Sequence, residues 1–215
     1  LPSHPTDFAH LPWQALLAPY LGGAELAEHK QSQLNQYLTV LLQWNSRMNL
    51  TAIRDPQEIL QRHFGESLFA ARQLPPTVQS LLDFGTGAGF PGLPIQIARP
   101  QLAVTLAEAN AKKVSFLREV IRQLALPTEV FSGRMETLPP ERVYDAITMR
   151  AVEKMPDAIP IAARHVAPGG WLLLMTTRED APALSQAAPE MAWQDAIPIP
   201  ESDARVVLLG QRVAS

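Results

Sequence analysis

Between Asp83 and Gly92 the chain reads Asp-Phe-Gly-Thr-Gly-Ala-Gly-Phe-Pro-Gly. An apolar strand over Ser80 to Phe84 precedes this stretch, and a helix over Leu93 to Ala98 follows it. Glycine lets a backbone turn through positive φ and approach a ligand with no Cβ in the way. In an open α/β sheet such a turn lies at the carboxyl ends of the strands, where ligands bind. Glu108 ends the next strand and is placed to accept hydrogen bonds from ribose hydroxyls.

Two cofactors fit these residue types. Gly87 to Gly92 matches G-x-G-x-x-G, so a nicotinamide dinucleotide is one occupant and an oxidoreductase one reading. Asp83, two residues before Gly85, makes the pattern D-x-G-x-G-x-G instead, which is that of the methyltransferase sheet. S-adenosyl-L-methionine carries an ammonium and a sulfonium but no pyrophosphate, so an acid beside the turn helps it and would repel a dinucleotide. The expected cofactor is S-adenosyl-L-methionine, held by Asp83, Gly85, Gly87 and Glu108.

The acceptor is narrowed by what is missing. With no cysteine in the chain there is no covalent pyrimidine mechanism, no disulfide and no thiolate metal site, and no metal is expected. No N-P-P-[YF] or D-P-P-[YF] stretch follows the fourth strand, which disfavours amino methylation of adenine or cytosine. Ile147 to Val152 stands there and places Arg150 at a strand's carboxyl end. An arginine suits an electron-rich acceptor such as guanine, whose O6 or phosphate it can hold. Guanine N7 has a free lone pair at neutral pH and needs positioning more than a base. The plainer reading of Arg150 is an ion pair with Asp145 or Glu153.

These residues need a scaffold. Leu34, Tyr37, Leu38, Leu41 and Leu42 recur at helical spacing within a mostly helical first part. Asp55 and Pro56 suit the start of a second helix that runs to Gln73, with Leu60, Phe64, Leu68 and Ala71 inward. Strands are expected at Ser80–Phe84, Leu102–Ala107, Thr128–Ser132, Ala146–Met149 and Trp171–Thr176, with helices at Leu93–Ala98, Lys112–Leu124 and Pro156–His165. Met191–Ile199 and Arg205–Leu209 read as a closing hairpin. Alternating strands and helices predict an α/β, Rossmann-like fold with a mostly parallel seven-stranded sheet covered on both faces. Residues 1–74 are expected to be a helical extension and 75–215 the cofactor-binding domain, together one compact unit.

Composition sets the outer limits. The chain has 215 residues, 47% of them hydrophobic, and a net charge of −3. A broad basic field for nucleic acid is absent, so any such site must be a local patch. No apolar run approaches the roughly 20 residues that span a bilayer, so no membrane partner is expected. Leu1 to His10 lacks the basic start and apolar stretch of a secretory signal. Nothing points beyond a monomer.

Several segments together resemble the ribosomal RNA small-subunit methyltransferase G family, also called glucose-inhibited division protein B. They are Trp44 to Thr51, Arg62 to Leu68, Asp83 to Gly92, Lys113 to Leu117, Gly133 to Glu136 and Met149 to Ala151. Gly89-Phe90-Pro91-Gly92 is the distinctive part. The resemblance implies methylation of N7 of a guanine in the 530 loop of 16S rRNA, within the small subunit or its precursor, in the cytoplasm. It implies cofactor contacts at Gly85, Phe90, Met135, Glu136 and Arg150, with Met135 and Glu136 beside the adenine and Glu108 at the ribose. Arg134 and Arg205 match arginines near the family's site, and with Lys112 and Lys113 they are the expected RNA contacts. The chain departs from the family in having Glu66 where Asp is usual and Thr176-Thr177 where Lys-Gly is usual. A non-catalytic RNA-binding module is the remaining alternative. His63 is expected to be structural, and Asn49-Leu50-Thr51 to be a buried polar turn leading to the sheet.

Overall fold

The computed structural model describes residues 8–213. Leu1–Asp7 and Ala214–Ser215 lie outside them, and with them most of the segment read for a secretory signal. The helical part opens with α1 (Trp13–Leu21) and α2 (Glu28–Met48). The expected helix from Pro56 to Gln73 forms as α3 (Pro56–Ile59), a π-helical turn (Leu60–Gly65) and α4 (Glu66–Gln73) in unbroken succession. Asp55 caps it, its carboxylate accepting from the Glu58 N–H at 2.8 Å.

Five parallel strands follow: β1 (Ser80–Phe84), β2 (Ala103–Glu108), β3 (Glu129–Ser132), β4 (Tyr144–Arg150) and β5 (Val166–Thr177). Between them run α5 (Gly92–Ala98), α6 (Ala111–Leu124) and α7 (Met155–Arg164). After β5 come α8 (Ala181–Gln186), β6 (Met191–Trp193), β7 (Ile197–Pro198) and β8 (Arg205–Arg212). The order across the sheet is β3-β2-β1-β4-β5-β8-β6, with β7 also on β8.

Among the described residues the sheet has eight strands rather than seven, because the expected strand from Met191 to Ile199 splits in two. The Gln194 N–H still donates to the Leu209 carbonyl of β8 at 2.9 Å, but exposed Asp195 and half-buried Ala196 beyond it leave the ladder, and Pro198 lacks an N–H, which only an edge tolerates. Both pieces pair antiparallel with β8, at Trp193↔Gly210 and Ile197↔Val207, so they share one edge. Helix α8 falls on a segment with no expected element.

Alternation along each strand feeds two cores. Leu81, Leu173 and Val207 face α5 and α6, while Leu82, Leu172 and Val206 face α7 and α8. The N-terminal helices form a further layer on the first side, where α2 packs on α5 and α6 and α4 packs on α5. Trp13, Leu17, Tyr20, Tyr37 and Phe64 are fully buried in that core. Each large apolar side chain so buried contributes about 1.5–3 kcal/mol. The sheet order reverses between β1 and β4, so the crevice for a ligand opens above their carboxyl ends.

Candidate functional site

Three glycines of the turn after β1 have positive φ: Gly85 at 66°, Gly87 at 60° and Gly89 at 90°. They do not serve alike. A Cβ on Gly87 would meet nothing nearer than the Gly85 carbonyl oxygen at 3.9 Å, so this backbone faces open space. Gly85 is exposed, and a Cβ there would lie 3.2 Å from Val152. A Cβ on Gly89 would strike the Tyr37 hydroxyl, and one on Gly92 the Leu106 side chain. Gly87 leaves room for a ligand, Gly85 lets the turn pass close to Val152, and Gly89 and Gly92 let it pack against the core.

Asp83 lies on the inner side of this turn. It is 0% exposed, so it does not reach a ligand's ammonium. Its Oδ2 accepts from the Thr86 hydroxyl at 2.5 Å and the Gly92 N–H at 2.9 Å, and its Oδ1 from the Thr148 hydroxyl at 2.8 Å. Burial pushes its pKa up to about 6 against the pull of these donors. Asp83 is thus the clasp that joins β1, the turn, α5 and β4. Asp83→Asn should preserve that clasp, since the amide oxygen serves two donors and Thr148 can turn to accept. Calorimetry should then give S-adenosylhomocysteine affinity within about threefold of wild type for Asn and a loss of about tenfold or more for Ala. An Asn variant as weak as the Ala variant would restore a direct charge contact.

Glu108 caps the open side. Its Oε2 accepts from the Gly87 N–H at 3.1 Å and its Oε1 from the Asn110 N–H at 2.7 Å. A carboxylate offers about four acceptor positions, so further donors such as ribose hydroxyls can still be served. The Gly133 N–H donates to the Glu108 carbonyl, bringing the end of β3 alongside. Met135 is buried with Phe84 and Ala107, and Glu136 and Arg134 are exposed on the same rim. Asn110 caps α6 and sets Lys112, exposed, and Lys113, half-buried, just beyond Glu108. Arg122 on that helix is committed to Glu119 at 2.8 Å.

Phe90 is buried behind the turn. It stacks on His63 at 4.8 Å and on Tyr37 at 5.3 Å between ring centres. Burial lowers the His63 pKa to about 3, helped by the nearby Arg150 and Arg62, so the imidazole is neutral. Its Nε2 shares a hydrogen bond with the Thr51 hydroxyl at 2.7 Å. Thr51 is held in turn by Asn45, whose side chain bonds both its N–H and its carbonyl at 3.0 Å. The Asn49 to Thr51 segment therefore joins α2 to α3 rather than to the sheet, and it buttresses the cofactor turn through His63. Burial also raises the Tyr37 hydroxyl well above its ordinary range, so it keeps its proton and donates to the Ala88 carbonyl.

Beside the turn opens a cavity of about 560 Å³. Ala151, Val152 and Met155 form one wall, Met175, Thr176 and Thr177 another, and Ile199 and Leu184 close it. Lys154 lines it too. Arg150 is not paired with Asp145 or Glu153. Asp145 accepts from the Gln79 and Ser80 N–H groups instead. Arg150 Nη2 donates to the Arg62 carbonyl at 2.6 Å and to Glu66 at 3.3 Å. Burial holds this guanidinium below its ordinary pKa. Arg205, from the start of β8, donates through Nε to Glu66 at 2.7 Å. Thr86, Thr148, Tyr37 and Glu66 escape a reading of the sequence as site residues, because their roles depend on contacts between distant elements.

A family model described as rRNA small subunit methyltransferase G matches residues 30–200. A ribosomal RNA small subunit methyltransferase G from Xanthomonas campestris pv. campestris is 43% identical over 162 residues, 75% of this chain and 76% of that one. One from Chloroflexus aggregans is 38% identical over 204 residues, 89% of this chain and 86% of that one. Among solved structures, a ribosomal protein L11 methylase from Lactobacillus delbrueckii subsp. bulgaricus superposes with TM-score 0.59 at 12% identity, covering 71% of this chain and 79% of that one. A geranyl diphosphate methyltransferase in complex with SAM superposes with TM-score 0.58 at 14% identity, covering 70% and 85%. These structures share the class I methyltransferase fold. The family match and the two relatives, set on the turn and the cavity, place the chain in the rRNA small subunit methyltransferase G family.

Proposed function

We propose that this protein transfers the methyl group of S-adenosyl-L-methionine to N7 of a guanine in the 530 loop of 16S rRNA. One observation carries the reading: Val152 belongs both to the wall of the cavity and to the surface facing Gly85. Donor turn and acceptor cavity therefore abut above the point where the sheet order reverses. The open backbone at Gly87, the exposed Gly85 and the spare acceptor capacity of Glu108 fit the cofactor, with Met135 and Glu136 on its adenine side. Asp83 and Phe90 act from behind by fixing the turn. Bound there, the cofactor supplies an electrophilic methyl group. N7 already carries a lone pair, so the protein's task is orientation of the base and exclusion of water.

Arg150 and Arg205 are the proposed acceptor-side cations, and Arg134, Lys112 and Lys113 the proposed contacts to flanking RNA. The enzyme acts in the cytoplasm, as a monomer, on the small subunit or its precursor. Among the described residues no helix is long and apolar enough to cross a membrane. The helical layer of residues up to 74 and the sheet are proposed to act as one unit.

The test uses small subunits from cells lacking this activity. After incubation with enzyme and S-adenosyl-L-methionine, borohydride and aniline treatment should yield one new RNA cleavage, in the 530 loop. A methylated adenine or cytosine instead would refute the N7 assignment, and tight NADH binding would revive the oxidoreductase. Arg134→Ala should lower transfer to subunits while S-adenosylhomocysteine affinity stays intact. RNA binding should weaken with salt, with a logarithmic slope of about 0.7 for each phosphate that the protein neutralises. A parallel fall in cofactor affinity would assign Arg134 to the cofactor rim instead.

A further inference from the structure

Three guanidiniums converge on one buried carboxylate. Glu66, at the start of α4, is 1% exposed and lies within 3.3 Å of Arg62, 3.3 Å of Arg150 and 2.7 Å of Arg205. The three arginines come from the π-helical turn, the end of β4 and the start of β8, and all four residues line the cavity. Among the described residues, the acids paired with these arginines are Glu66 and, at the exposed rim on Arg62, Glu58 at 3.8 Å. Arg150 Nη1 is buried with no hydrogen-bond partner. A wall with more guanidiniums than carboxylates holds its shape only while the central anion is in place, because like charges otherwise move apart toward water.

We propose that Glu66 is a positioning residue for methyl transfer, acting through Arg150 and Arg205. It touches neither donor nor acceptor in this reading. Its two oxygens divide the work: Oε2 accepts from Arg150, and Oε1 accepts from Arg205 while facing Arg62. That fixes the spacing of two cations contributed by strands on opposite sides of β5, the spacing against which a guanine nucleotide must register. The sum of charges also leaves the cavity cationic, as an RNA-facing surface requires. The inference rests on the acceptor site proposed above.

The test compares Glu66→Gln and Glu66→Asp with wild type. Gln keeps the shape and removes the charge; Asp keeps the charge on a stem shorter by one methylene. Gln should lower kcat for methyl transfer to small subunits by about tenfold to a hundredfold, the range expected when a reacting group is misplaced by an ångström. RNA affinity in filter binding should hold or rise, because the cavity has gained a net positive charge. S-adenosylhomocysteine affinity should stay within about twofold for both variants, and Asp should recover most of the lost kcat. Independently of turnover, the Arg205 Nε–H proton should be slow to exchange with solvent in wild type and Asp and fast in Gln. A Gln variant with wild-type kcat, an Asp variant as inactive as Gln, or cofactor affinity falling in step with kcat would each overturn the proposal. Failure of the wild-type enzyme to methylate subunits at all would instead overturn the acceptor reading on which it rests.

Discussion

Gly87→Val should abolish binding of S-adenosylhomocysteine, by at least about a hundredfold in calorimetry, a loss of roughly 2.7 kcal/mol. The fold should survive. The new Cβ has open space around it, so it displaces no protein atom. The cost to stability is that of a branched residue at φ 60°, about 1–3 kcal/mol, which a chain of this size can absorb. The Val side chain must then stand where the backbone is expected to meet the cofactor. Gly92→Val is the matched contrast. Its Cβ would collide with Leu106 and lie 2.8 Å from Asp83 Oδ2, so that variant should lose the folded state itself. Unchanged affinity in a folded Gly87→Val protein would remove the cofactor from this turn.

The second expectation is a pair of opposing pH dependences. His63 has a folded pKa of about 3, below its ordinary 6.5. Its contribution to stability is complete above pH 6.5 and is lost as pH falls toward 3, because only the unfolded chain takes up the proton. Asp83 has a folded pKa of about 6, above its ordinary 3.8. Its contribution is complete below pH 3.8 and is lost as pH rises through 6. Between pH 7 and 5 the gain at Asp83, about 1 kcal/mol, offsets about half of the roughly 2 kcal/mol lost at His63. Urea unfolding of the wild type should therefore show only a shallow slope over this window. His63→Gln should tilt the curve so that stability rises toward acid, and Asp83→Asn should tilt it the other way. Two variants that tilt in the same direction would mean that one of these groups titrates in a different environment.

How much of this is readable in the sequence depends on the reach of each signal. The strand over Ser80 to Phe84 and the helix over Lys112 to Leu124 are set by periodicity within one segment, and both form as expected, the helix one residue earlier. The turn is legible as a ligand site because several glycines follow a strand of an open α/β sheet, at the end where ligands bind. The different duties of its glycines are not, since they depend on Val152, Tyr37 and Leu106 from elsewhere in the chain. Asp83 reads, from its neighbours in sequence, as an acid for the ligand, while Thr148, 65 residues away, turns it inward. Arg150 has acids close by in sequence, and its partner Glu66 is 84 residues distant. The edge strand fails for a different reason. Its apolar ends suggest one element, but the pairing lapses at Asp195 and Ala196, and two prolines flank its close.

The backing of the cofactor turn has a bearing on how such an enzyme can be divided or borrowed. Every residue expected to face the cofactor follows Leu74, so a fragment beginning there looks self-sufficient on paper. It would lack Tyr37, which anchors the Ala88 carbonyl, and His63, which stacks on Phe90. A chimera that grafts this sheet onto a foreign helical partner would inherit the expected contact surface without the buttress that fixes it. In this protein the helical layer and the turn are tied to each other, and a mutation that loosens α2 is expected to weaken binding of the methyl donor.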